Sequence, residues 1–306
     1  MEEGSVGVVS SAPARRPFGD TGLTVPVLGF GAGGIGDPAL SERDAETLLN
    51  SVLDLGVALI DTARSYGLSE ERIGRHLARR RREFVLSTKV GYSVPGFEDW
   101  TAECVSAGVD LALENLRTDV IDVVHLHSCP LETLELNGVA EALGRAVDAG
   151  KVRVAAYSGE GNPLDYAVDS GAFGSIQTSV NVVDQRSVET ALPRAEERGL
   201  GVIAKRAFAD AVWRRDFVAG EDEAISIYRQ RWHDLSLDFG DVPAEEATLR
   251  FAAFVPGVSS ILVATRRVEH LAANVAALAR GPLPEEMQQA IRARFRERGK
   301  DWPGIV

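Results

Sequence analysis

Two patterns of apolar spacing take turns along most of the chain. Short, nearly continuous apolar runs are each followed by a polar loop and then by a segment with apolar residues every three or four positions. The runs predict strands over residues 25–31, 57–62, 84–90, 121–127, 152–158, 175–180, 201–207 and 259–264. Little strict alternation occurs within them, as expected of strands buried on both faces. Among the helices between, Ser41 opens one whose inner face carries Ala45, Leu48, Leu49, Val52 and Leu53, and Ser69 and Thr101 stand as N-caps of two more. Gly56, Gly150, Gly199 and Gly257 precede later strands and fit the position just past a helix end. A turn within residues 18–25 predicts a small hairpin, and residues 1–14 carry no period and read as a loose arm.

Eight strands alternating with helices over about 250 residues predict an α/β fold, a (β/α)₈ TIM barrel. Residues 15–306 form its single domain, with an N-terminal β-hairpin and extra C-terminal helices. The stretch 208–242 and the tail after Arg280 interrupt the repeat and read as additions to the barrel. A doubly wound sheet is the alternative, with fewer strands as a rule.

Composition narrows the setting. Apolar residues make up 45% and charged residues 25%, which excludes a disordered chain. No apolar run approaches the roughly 18 residues of a membrane span, and the acidic start, Met1-Glu2-Glu3, lacks the apolar core of a secretory signal. Cys104 and Cys129 are too few for a disulfide framework or a four-cysteine metal site. A cytoplasmic protein is expected, monomeric or homo-oligomeric. The balance of 33 basic against 45 acidic residues, a net −12, weighs against nucleic acid and anionic membranes as partners.

In a barrel, chemistry gathers at the C-terminal strand ends. Asp61 ends the second predicted strand, Tyr66 lies in the loop after it, Lys89 ends the third strand and His127 the fourth. Each alone has a plain reading as a cap, loop packing or an ion pair. Together they have a chemical logic. An ammonium beside a phenol stabilises phenolate and makes the phenol a better acid near neutrality. The aspartate holds the lysine, and the histidine can orient a carbonyl or relay a proton.

The segment Ile60-Asp61-Thr62-Ala63-Arg64-Ser65-Tyr66-Gly67 resembles the aldo-keto reductase signature around its catalytic aspartate and tyrosine. Thr88-Lys89-Val90 resembles the lysine strand of that family, and Asp119-Val120-Ile121-Asp122-Val123-Val124-His125-Leu126-His127 its histidine strand. Gly150-Lys151-Val152-Arg153 and the opening Arg16-Pro17-Phe18-Gly19-Asp20-Thr21-Gly22-Leu23 fit as well, so the resemblance runs from Arg16 to about Leu278. It implies NADPH-dependent reduction of a small-molecule carbonyl, or oxidation of the alcohol. Tyr66 would be the general acid, Lys89 would tune it, Asp61 would anchor Lys89, and His127 would orient the carbonyl. Ser158 and Gln177 match positions that hold the nicotinamide amide, with Asn181 on the same strand face. Thr265, Arg266, Arg267, His270 and Asn274 match the segment that grips the adenosine 2′-phosphate. The physics agrees, because amides at a helix start and guanidinium forks both favour an anion. A solvated helix start is the other reading of the two arginines.

Two positions depart from the family pattern. Gly159 stands where Asn is frequent, which predicts one amide contact fewer. Lys205, followed by Arg206, stands where an aromatic ring commonly stacks on the nicotinamide, and a cation there would instead contact the pyrophosphate.

Three other motifs compete. Gly29-Phe30-Gly31-Ala32-Gly33-Gly34 spells G-x-G-x-x-G after a strand, but no helix opens at the third glycine, and Asp54 lies within a helix. The glycines, Gly33 among them, instead let the backbone pass close to a cofactor in the barrel mouth. His125-Leu126-His127 is an H-x-H pair that a metal-dependent barrel hydrolase could use, yet no third ligand ends a strand, and no metal is expected. A non-catalytic NADPH-binding subunit on the same fold is the third class. Tyr92, Phe97, Trp100, Trp213, Phe217, Tyr228, Trp232 and Trp302 fall in loops and additions, where they suit an apolar pocket or plain packing equally.

Overall fold

Aliphatic runs such as Leu59-Ile60 and Val123-Val124 are buried on both sides, inside a barrel and beneath its helices, which explains their lack of alternation. The computed structural model describes residues 12–214 and 223–305, so most of the expected arm and Phe217 lie outside the described residues. A short hairpin, β1 (Arg15–Pro17) and β2 (Thr24–Pro26), precedes the barrel. The barrel strands are β3 (Leu28–Gly31), β4 (Leu59–Asp61), β5 (Val85–Val90), β6 (Ile121–His127), β7 (Val152–Ser158), β8 (Ser175–Ser179), β9 (Gly201–Lys205) and β10 (Ser260–Val263). All are parallel, in sequence order, and β10 closes on β3.

The outer layer begins with α1 (Glu42–Asp54), α2 (Ser69–Leu77), α3 (Ala102–Leu116), α4 (Leu131–Leu136), α5 (Val139–Asp148) and α6 (Gly161–Asp169). It continues with α7 (Arg186–Glu189), α8 (Ala191–Glu197), α9 (Glu223–Leu235), α10 (Ala244–Ala253), α11 (Val268–Leu278) and α12 (Glu285–Arg298). α9 and α12 are the expected additions. No helix among the described residues is long and apolar enough to cross a membrane.

The sequence places two boundaries differently from the structure. The predicted strand 25–31 is two strands. Residues 24–26 pair antiparallel with β1, and the chain enters the barrel only at Leu28. Ser69 is not an N-cap but the first residue of α2, its hydroxyl donating to Ala32 O at 2.9 Å and accepting from Thr62 Oγ1 at 2.7 Å. Ser41 and Thr101 do cap, accepting from the amides of Asp44 and Cys104 at 3.1 Å each.

Barrel height sorts the interior. Phe18 and Val25 from the hairpin meet Leu59, Val85, Val123, Val154, Ala156, Ile203 and Leu262 in one apolar cluster, which closes the N-terminal end. Burying a side chain such as Phe18 contributes roughly 1.5–3 kcal/mol. Register then lifts the polar residues to the other end, with Asp61 opposite Ser87, Lys89 opposite His125, and His127, Ser158 and Gln177 in line on successive strands.

Candidate active site

Asp61 ends β4 and is buried. Its Oδ2 accepts from Lys89 Nζ at 2.5 Å, and its Oδ1 accepts from Ser87 Oγ at 2.7 Å and Gln177 Nε2 at 3.0 Å. Burial would raise the Asp61 carboxyl, but Lys89 and His125 beside it, with these hydrogen bonds, hold it below the usual carboxylate range. Lys89 is its mirror image. Burial would lower the ammonium, yet Asp61, then Tyr66, carry it above the ordinary lysine range. Lys89 Nζ also donates to Thr62 O at 2.7 Å and sits 5.0 Å from the centre of the Tyr66 ring. The pair is therefore charged, hydrogen-bonded and fixed, as a buried ion pair must be.

The backbone at Tyr66 is placed by the loop after β3. A Cβ on Gly36 would lie 1.7 Å from Tyr66 O, so only glycine lets the 3₁₀ turn Ala32–Gly36 pass there. Gly36 O in turn accepts from Leu68 N at 3.0 Å. The Tyr66 ring stands edge-on to the imidazole of His127, centroids 5.9 Å apart at 85°. Burial first, then Lys89 and Lys205, pushes His127 down to about 3, so the ring is neutral at physiological pH.

These groups sit at a cleft of about 540 Å³. Gly31, Gly33, Asp61, Tyr66 and His127 line it, with Ser158, Gln177, Lys205 and Arg206 beside them. Leu262–Ala264, Thr265, His270 and Asn274 also line it, where the chain leads from β10 into α11, a helix that begins without a side-chain cap. Ser158 Oγ donates to Gln177 Oε1 at 3.0 Å, so Gln177 links Ser158 to Asp61. Lys89 stands behind Asp61 rather than on the wall. Asn181 is buried, its amide donating to Arg206 O at 3.1 Å, and it does not line the cleft.

The aldo/keto reductase family model matches residues 27–294, the whole barrel and most of α12. The chain belongs to the aldo/keto reductase family. It is an oxidoreductase of that family. It is 31% identical to the L-galactose dehydrogenase of Arabidopsis thaliana over 62% of this chain and 63% of that enzyme. Identity to a D-threo-aldose 1-dehydrogenase of Pseudomonas is 28%, over 83% of this chain and 89% of the enzyme. An aldo-keto reductase of Bacillus halodurans, solved in a holo form, superposes with a TM-score of 0.78 at 27% identity, covering 92% of this chain and 95% of that one.

Within this aldo-keto reductase both departures have local causes. A Cβ on Gly159 would lie 2.4 Å from Tyr157 Oη, which donates to Cys129 O at 2.9 Å, so the phenol occupies the space a larger residue would need. Lys205 Nζ lies 3.4 Å from Glu160 Oε1, and Arg206 donates to Ile305 O at 2.7 Å. Burial lowers the Lys205 ammonium, with Glu160 opposing.

Arg266 turns to the surface. Its Nη2 donates to Asp37 Oδ2 at 2.7 Å, and neither it nor Arg267 lines the cleft.

The histidine pair is engaged elsewhere. His125 fills the barrel interior with Nε2 3.1 Å from Ser87 Oγ, and His127 Nδ1 faces Tyr92. Among the described residues no three His, Cys, Asp or Glu side chains gather to hold a metal.

The aromatic residues divide. Trp213 lines the cleft, while Tyr228 is fully buried and donates to Asp184 Oδ2 at 3.1 Å, and Trp232 packs between Trp213 and Phe239. Phe97 is exposed and Trp302 packs on Phe295. Two residues of the site are not among those the sequence singles out: Ser87, two residues before Lys89 on one strand face, and Glu160, whose partner Lys205 is distant in the chain.

Proposed function

We propose that the protein transfers hydride between NADPH and a small-molecule carbonyl, reducing an aldehyde or ketone to the alcohol or running the reverse. The observation that carries this reading is the convergence of Asp61, Lys89, Tyr66 and His127 at a cleft that residues of α11, a helix starting without a side-chain cap, also line.

The cleft suits a dinucleotide. Gly31 and Gly33 put bare backbone on one wall, and Ser158 and Gln177 offer a hydroxyl and a carboxamide where a nicotinamide amide would be held. Lys205 and Arg206 supply positive charge along the wall for phosphate. Thr265, His270 and Asn274, with Arg266 recruited from Asp37, would hold the adenosine end and its 2′-phosphate. NADPH, when bound, supplies the hydride.

The residues of the chain handle the proton. A carbonyl oxygen gains negative charge as its carbon takes hydride, and Tyr66 donates the phenol proton to it. Lys89 stabilises the phenolate that remains, and Asp61 keeps Lys89 charged and in place. His127, neutral, donates a hydrogen bond to the same oxygen and orients it. A cytoplasmic reductase with no nucleic-acid or membrane partner follows from the same reading.

The test is a panel of aldehydes, ketones and sugars followed by NADPH absorbance. Turnover of at least one, lowered by about 10²–10⁴-fold in Tyr66→Phe, supports the reading. NADPH binding without turnover of any carbonyl, or oxidation of any paired alcohol, would favour the non-catalytic subunit.

A further inference from the structure

A second phenol stands beside the cluster and has no part in the chemistry just described. Tyr92, just past the end of β5, places its Oη 2.8 Å from His127 Nδ1 and 3.2 Å from Ser65 Oγ. Its ring lies nearly parallel to the imidazole, centroids 5.5 Å apart at 22°, and packs on Trp100 at 5.5 Å. Trp100 is tied down in turn, its amide donating to Gly91 O at 2.7 Å and its carbonyl accepting from Asn137 Nδ2 at 3.2 Å. His127 lines the cleft and Tyr92 does not.

We propose that Tyr92 is a positioning residue: its phenol donates to His127 Nδ1 and fixes the imidazole as the Nε2–H tautomer, the form able to donate to a carbonyl. The inference rests on the reading of His127 as that donor.

A neutral imidazole has a single N–H, and the partner of one nitrogen decides where the proton sits. Were Nδ1 protonated, Nε2 would be a bare lone pair and would repel the oxygen it is meant to hold. A phenol is the stronger acid of the two neutral groups, and an unprotonated imidazole nitrogen is a better acceptor than a phenol oxygen. The favoured pairing is therefore O–H to Nδ1. Ser65 Oγ, at 3.2 Å, is the other acceptor within reach of the same phenol proton, and the shorter 2.8 Å contact with the more basic imidazole nitrogen takes it. The contact is partly buried, which shields it from competing water. His125 follows the same rule. Ser87 Oγ is committed as donor to Asp61, so it accepts from His125 Nε2–H.

The experiment uses full-length protein with ¹⁵N-labelled histidine, whose ring nitrogens report protonation by NMR. Five histidines keep the spectrum simple, and His127→Gln assigns the signal. Wild type should show His127 with a proton on Nε2 and an unprotonated, hydrogen-bonded Nδ1. Tyr92→Phe keeps the ring packing and removes the donor. It should give mixed tautomers and a kcat about ten-fold lower, the scale of one lost hydrogen bond, with NADPH affinity unchanged. A proton on Nδ1 in wild type overturns the proposal, as does Tyr92→Phe matching wild type in both tautomer and kcat. The wild-type spectrum decides the tautomer even if the variant does not fold. If His127→Gln reduces carbonyls at nearly the wild-type rate, the donor role of His127 fails, whatever the tautomer.

Discussion

Lys205 at the end of β9 faces Glu160, a buried carboxylate that also accepts from Ser179 N at 2.8 Å and Thr178 Oγ1 at 2.7 Å. A cation at this point of the wall is thus matched by an anion behind it, and each is a liability without the other. Lys205→Met should lower stability by about 1–3 kcal/mol, less than for a wholly buried pair because the lysine is 19% exposed. The double variant with Glu160→Gln should recover most of that loss. Denaturant unfolding of the four proteins measures the coupling, and strictly additive losses would show that the pair is incidental.

The contact between Arg266 and Asp37 joins the loop after β10 to the loop after β3, both at the surface. An exposed pair of this kind is cheap to exchange for a phosphate. Arg266→Ala should weaken NADPH about ten- to a hundred-fold and leave NADH nearly unchanged. Asp37→Asn should tighten NADPH about two- to five-fold by removing a competing carboxylate. Fluorescence titration of both cofactors checks this. Equal losses for the two cofactors in Arg266→Ala would assign the arginine to a solvated helix start.

His125 is fully buried, and burial, with Lys89 and opposed by Asp61, pushes it down to about 4. The unfolded chain takes up that proton near pH 6.5 and the folded chain only near 4, so the unfolded state binds more protons between them. Stability is complete above about pH 6.5 and falls as pH drops toward 4, by about 3 kcal/mol for this residue. Asp184 contributes the opposite sign. Burial raises it to about 6, so its neutral form favours the folded state as pH falls through that value. Comparing His125→Gln with wild type from pH 8 to pH 4 isolates the histidine. The variant should lose less stability in acid, and parallel curves would contradict the assignment.

The barrel was legible because burial on both faces leaves continuous apolar runs, and Gly56, Gly150 and Gly199 take a positive φ directly after the C-caps of α1, α5 and α8, whereas Gly257, also at positive φ, lies in the loop three residues beyond Phe254, the C-cap of α10. The hairpin boundary was not. The apolar run crosses Pro26 without a break, although a residue lacking N–H marks the point where antiparallel pairing ends. Ser69 looks like a cap because the groups that engage its hydroxyl, Thr62 Oγ1 and Ala32 O, lie outside its helix. That Asp61, Tyr66, Lys89 and His127 come together was legible from their places at strand ends and in the loop after one. Ser87 could have been found by alternation from Lys89. Tyr92, Glu160 and Asp37 owe their meaning to partners 35, 45 and 229 residues away, which no local pattern encodes.

The central claim is that Tyr66 delivers the proton, and Tyr66→Phe tests it most directly. The substitution removes one oxygen and leaves the Lys89–Asp61 pair and the cleft in place. With the best carbonyl of the panel and saturating NADPH, the account predicts kcat lower by about 10²–10⁴-fold, with the dissociation constant for NADPH within a few-fold of wild type. A variant that reduces the carbonyl at close to the wild-type rate, with cofactor affinity unchanged, would contradict it.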